Sequence, residues 1–195
     1  MNPKLPVKTL AELIDYIRAN PNKVSFGSSG AGGGAHLAGE MLKSRLGLEM
    51  EHIPYKGLAP ALRDTVAGHI DFTFGAILTA GPYVKSGQLR VLAVSSLERN
   101  PAMPDVPAVA EHPGLEGFES DLWYGLLAPA GTPPAIVASL RKNVVEAFKD
   151  PAVRAKFEPS GTVLVGSAPE EFAATIKKEL PVYREVLKTA NLLPE

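Results

Sequence analysis

The stretch from Lys23 to Glu40, KVSFGSSGAGGGAHLAGE, carries six glycines between a short apolar run and a segment with helical spacing. A chain this rich in glycine cannot hold regular structure of its own, so it reads as a loop joining a strand to a helix. Such a loop presents unpaired N–H groups where the helix dipole favours negative charge. It is either an anion cradle or a flexible connector, and so many glycines favour the cradle.

The flanking pattern sets this loop in an α/β arrangement. TLAELIDYIRANP places Leu10, Leu13, Ile14 and Ile17 on one helical face, with Thr9 and Glu12 as a capping box and Asn20-Pro21 as its stop. KVSF reads as a strand. The helix after the loop carries Leu37, Met41, Leu42 and Leu46 and closes at Gly47. MEHIPY is a second strand, LAPALRDTVAG a helix, IDFTF a half-buried strand, the region of Tyr83 a short helix, and QLRVLAVS a further strand. Strands alternating with helices imply parallel pairing.

Between Asn100 and Phe118 the composition shifts to proline, glycine and acid, with a short helix only at Val109 and Ala110, which marks a boundary. DLWYGLLAPAGTPP follows as an extended apolar run in which Trp123 and Tyr124 either line a cleft or join a core. The remainder is nearly all helical. Ile136, Val137, Leu140, Val144 and Phe148 share one face, and Asp150-Pro151 opens a helix with Val153 and Phe157. GTVLVG is a brief strand, and Ser167 with Glu170 caps a last helix that Pro181 is expected to kink. The domains are therefore drawn as residues 1–122 and 123–195. The helices of the second have no sheet of their own to cover.

Several functions are excluded by residue type. The formal net charge of −1 gives no basic excess for a phosphate backbone, so no nucleic-acid partner is expected. The absence of cysteine removes thiol catalysis and thiolate metal sites. Histidines 36, 52, 69 and 112 lack metal-ligand spacing, so no metal is expected. No apolar run approaches the ~18 residues of a membrane helix. MNPKLPVKTL has no charged region followed by an apolar one, so no secretory signal is read there.

The loop lacks the lysine of a Walker A motif and the spacing of a G-x-S-x-G elbow. Gly30-x-Gly32-x-x-Ala35 satisfies the loose dinucleotide fingerprint, but the next strand ends in Pro54, Tyr55 and Lys56 rather than in an acid for a ribose. A nicotinamide-dinucleotide oxidoreductase is thus the alternative function. Lys56 is either a ligand contact or a solvated surface lysine, and His36 either meets the ligand or caps the turn.

The segments LPVKTLAELIDYIRANPNKVSFGSSGAGGGAHLAGEMLK, IPYKGLAPALRDTVAGHIDFTF, GQLRVLAVSS, PAVAE and WYGLLAPAGTP, in that order, closely resemble the substrate-binding proteins of tripartite tricarboxylate transporters, the Bug receptors. The similarity runs from about Pro3 to the C-terminus. It implies a periplasmic protein with the type II binding-protein fold, a Venus flytrap that closes on a small organic acid and hands it to membrane subunits. It needs no cofactor and catalyses nothing. It also implies that residues 1–122 form the second lobe, and that 123–195 belong to a first lobe mostly supplied by N-terminal sequence. A second copy of the chain is a candidate cover for the orphan helices. The ligand site carried over from the resemblance is Ser28, Ser29, Gly30, Ala31, Gly32, Gly33, Gly34, Ala35 and His36, with Tyr55, Lys56, Gly75, Ala76 and Ile77 around them. Gly33 replaces a common serine or threonine and Gly75 a frequent aspartate, which leaves the backbone to do the binding.

Overall fold

The computed structural model describes residues 1–190 and 192. The contact pattern divides them into two units, one from Met1 to Leu122 joined by the chain from Tyr183 onward, the other from Trp123 to Val182.

The first unit is α/β. Helix α1 (Leu10–Ala19) buries Leu10, Leu13, Ile14 and Ile17. Thr9 Oγ1 accepts from the Glu12 N–H at 3.1 Å, while the Glu12 carboxylate reaches back to Lys8 N–H, one residue before the reciprocal position of a capping box. Strand β1 (Ser25–Ser28) is central. It pairs in parallel with β2 (Glu51–Pro54) on one side and β3 (Phe72–Thr73) on the other, giving the order β2-β1-β3. The connections are α2 (Gly34–Leu46) and α3 (Leu58–Ala67), and α4 (Ile77–Lys85) follows β3.

A central parallel strand is covered on both faces, and Phe26 in β1 is fully buried with Val24, Ile14, Ile17 and Phe118 in one cluster. Strand β3 is short because side chains take over its edge. The Asp71 carboxylate accepts from Ser25 N–H at 2.8 Å, and Thr73 Oγ1 donates to Gly27 O at 2.7 Å.

QLRVLAVS is not a strand. Its apolar residues are inside, Leu89 and Val94 being buried, but its backbone partners are isolated. Arg90 N–H donates to Met1 O, Val94 N–H to Pro107 O, and Val94 makes one parallel bridge to Ala108 just before a 3-10 turn at Val109–Glu111. The apolar residues of this run reported burial, and beyond the single bridge no neighbouring strand completes a ladder among the described residues.

The second unit holds α5 (Pro134–Ala147), α6 (Pro151–Phe157) and the first part of α7 (Pro169–Thr189). Asp150 caps α6 by accepting from Ala152 N–H at 2.7 Å. Helix α7 opens at Pro169 instead of on a Ser167 cap, and Glu171 rather than Glu170 accepts, from Ala168 N–H at 2.7 Å. Pro181 lies inside α7, and the chain continues through it as one helix of 21 residues. From Tyr183 the helix belongs to the first unit, with Tyr183 and Val186 packed on its core.

GTVLVG is also not a strand, and Val163 and Val165 are about three-quarters exposed at 72% and 73%. In the apolar run, Trp123 packs edge-on against Phe172 and donates its indole N–H to Glu179 at 2.8 Å. Gly125 makes room for that Phe172 ring, since a Cβ there would stand 2.2 Å from it. Tyr124, Leu126 and Leu127 are exposed.

Candidate functional site

Because all three strands run in parallel, their C-terminal ends share one edge of the sheet, and each leads into a helix. Strand β1 leads to α2 with Gly33 as N-cap, β2 to α3 with Gly57, and β3 to α4 with Ala76. None of the three caps offers a side chain to its helix, and none of the three first turns carries an acid. The positive ends of three helices therefore lie along one edge without an internal anion to satisfy them.

The glycine loop is tied to this edge by backbone. Tyr55 N–H donates to Ser28 O at 3.0 Å and Gly57 N–H to Ser29 O at 3.3 Å. Gly30 and Gly32 adopt φ of +137° and +73°, which only glycine takes without strain, and so turn the chain back toward α2. Three loop amides are used internally. Gly30 N–H donates to Ser28 Oγ at 3.1 Å, Gly33 N–H to Gly30 O at 3.2 Å, and Gly32 N–H to His36 Nδ1 at 2.9 Å. Among the described residues, the N–H groups of Ser29, Ala31, Gly34, Ala35 and His36 take no intramolecular partner. Ser29, Ala31 and Gly34 are exposed residues.

Side chains are placed differently from expectation. Ser28 is fully buried, and its hydroxyl donates to Gly30 O at 2.9 Å, accepts from Gly30 N–H, and lies 2.7 Å from His52 Nε2. That uses its bonding capacity, so Ser28 shapes the loop and has no donor left for a ligand. His36 is buried and caps the turn through Gly32. Tyr55 is half-buried and donates its hydroxyl to Asp64 at 2.7 Å, and burial, with this bond and the Asp64 charge, pushes its phenol up to about 12. Lys56, Gly75 and Ala76 are exposed, and Ile77 is half-buried at the start of α4.

Sequence reasoning missed His52 and Gly57. His52 stacks flat on His36, with centroids 3.6 Å apart and planes 9° apart, beneath the loop. Nothing in the spacing of the two histidines signals this, because it follows from the register that sets His52 beside Phe26. Gly57 was legible as the residue before a helical run. Among the described residues no cluster of His, Cys, Asp or Glu is arranged to hold a metal ion, and no helix is long and apolar enough to cross a membrane.

Comparison with known proteins bears on this arrangement. The family described as "Tripartite tricarboxylate transporter family receptor" matches residues 1–192. The chain belongs to that family. Among similar receptors and relatives, a UPF0065 protein from the tcbD-tcbE intergenic region of Pseudomonas sp. strain P51 is 36% identical over 180 residues, which is 92% of this chain and 54% of that protein. The structure of R. palustris Rpa4515 with adipate matches with a TM-score of 0.88 and 33% identity, over 100% of this chain and 64% of the other. That of the periplasmic binding protein BugD gives 0.85 and 32%, over 100% and 65%. The chain thus spans about half the length of that curated relative and under two thirds of these two structures.

Proposed function

We propose that this chain is the part of an extracytoplasmic solute receptor that grips one carboxylate group of a small organic acid through the main-chain N–H groups of Ser29, Ala31 and Gly34. The observation that carries this reading is the alignment of three helix N-termini, none capped by a side chain, along one edge of the parallel sheet. Lys56 and the segment Gly75, Ala76 and Ile77 flank the ligand. Rpa4515, a relative by structure, was solved with adipate, which supports a dicarboxylate as the ligand class. The receptor works in the periplasm, the compartment named for the binding protein BugD, and on this reading it passes its acid unaltered to membrane subunits.

A hydrogen bond to a charged group contributes about 1.5–3 kcal/mol, so the open amides alone give an affinity in the millimolar to micromolar range. Amide spectroscopy suits such binding. Adipate should shift the Ser29, Ala31 and Gly34 signals saturably, and the uncharged adipamide should not. NADH, the ligand of the oxidoreductase alternative, should leave them in place. No response to adipate at tens of millimolar would overturn the reading.

A further inference from the structure

The floor of the anion loop is a stack of rings. The Phe26 centroid lies 5.0 Å from that of His52, and His52 lies 3.6 Å from His36, nearly parallel to it. Each imidazole holds one point of the loop above. His52 Nε2 is 2.7 Å from Ser28 Oγ, and His36 Nδ1 accepts from Gly32 N–H at 2.9 Å. An imidazole nitrogen that accepts from an amide carries no proton, so the His36 proton sits on Nε2. That atom faces Glu40 Oε1 at 3.7 Å, and Lys43 Nζ holds the same oxygen at 2.9 Å.

We propose that His36 and His52 are positioning residues of the anion loop, and that the loop keeps its binding shape only while His36 is uncharged. The proposal rests on the carboxylate reading above for its functional meaning and on the hydrogen bonds alone for its structural part. A proton added to His36 must go to Nδ1, which then sets one donor against the Gly32 N–H and ends that bond. The same proton puts a positive ring against His52. The groups acting on the pair are few. From α2, Glu40 favours the charged form of His36 and Lys43 opposes it; β2 supplies His52; β1 supplies the uncharged Phe26 and Ser28.

Burial outweighs Glu40 and holds His36 below its ordinary 6.5, while burial, His36 and Lys43 together push His52 down to about 4. The loop is therefore locked at neutral pH and opens in acid. Gly32 has φ +73° and no atom packed where its side chain would be, so the bond to His36 is the tie that an imidazole can release.

Amide exchange and chemical shifts of the whole chain, followed from pH about 8 to about 4, test this. The Gly32 amide should be protected at the upper end and lose protection in step with titration of the His36 ring. His36→Phe keeps a ring on the stack without an acceptor, and should expose Gly32 at every pH. His36→Asn sets a non-titrating carbonyl near the Nδ1 position, and should restore protection with a flat profile. Protection of Gly32 that ignores pH, or that survives His36→Phe, overturns the proposal. So does loss of protection at Ile14 and Ile17 together with Gly32, since the switch would then be the unfolding of the whole unit. A Gly32 switch with no response to adipate at pH about 8 leaves the imidazole lock standing and counts against the carboxylate reading instead.

Discussion

Gly39 crosses the face of Phe26 so closely that a Cβ on Gly39 would stand 2.1 Å from Phe26 Cε2 and 2.4 Å from Cζ. This contact sets how near α2 lies to the central strand, and with it where the α2 N-terminus falls. Gly39→Ala must push the helix or the ring aside, and about 1–3 kcal/mol of stability should be lost in urea unfolding. Adding Phe26→Leu should recover part of the loss that Gly39→Ala causes, because the obstacle is then smaller.

Gly34 is the first residue of α2, and its N–H has no internal partner. Proline suits this position, and Gly33 before it already has an extended φ and ψ of −72° and 161°. Leu122 Cδ1, at 3.8 Å from a Cβ built there, makes an ordinary contact. Gly34→Pro should leave thermal stability unchanged or slightly raised while weakening adipate binding about tenfold, as expected for one lost donor to a charged group. Equal loss of both would mean that the substitution acts on the fold and not on the donor.

These two glycines show what was readable from sequence. The glycine run announced a strand-to-helix turn, and the turn is at Ser28–Gly34 between β1 and α2. Gly39 was counted with the glycines of that run, but it lies inside α2, and the ring it meets belongs to a different element. Ser28 was placed in the ligand site from the resemblance, whereas its hydroxyl donates to Gly30 O and lies against His52 Nε2, 24 residues away in sequence, a contact that only the sheet register creates. QLRVLAVS and GTVLVG failed differently. Apolar residues mark which side chains could go inside, whereas a strand also needs a continuous partner ladder: QLRVLAVS has a single bridge, Val94 to Ala108, and GTVLVG lies in no strand among the described residues.

His52 makes stability depend on pH. Its folded value of about 4 lies below the ordinary 6.5, so the folded state favours the neutral ring. The sign follows from proton linkage: this contribution is complete above about 6.5 and is lost as pH falls through about 4. Urea midpoints measured across that interval should fall toward acid. In His52→Gln, whose amide can keep the contact with Ser28 but does not titrate, the fall should be shallower.

Leu126 and Leu127 are 80% and 81% exposed, and Val163 and Val165, in the same unit, are exposed too, though somewhat less. Apolar surface of this kind seeks a cover, and a second copy of the chain is the cover at hand in a purified sample. Sedimentation velocity should show mass rising with concentration, and Leu126→Lys with Leu127→Glu should reduce it. A constant monomer mass over a hundredfold range of concentration would remove this expectation.

A grip made of peptide N–H groups has no side chain that a point mutation can delete, short of proline. On the proposed reading, drift at Lys56 or along Gly75 to Ile77 would change which acid tails are accepted and leave the carboxylate head held as before. Divergence among such receptors should therefore show as changes in what is selected long before the capacity to hold an acid disappears.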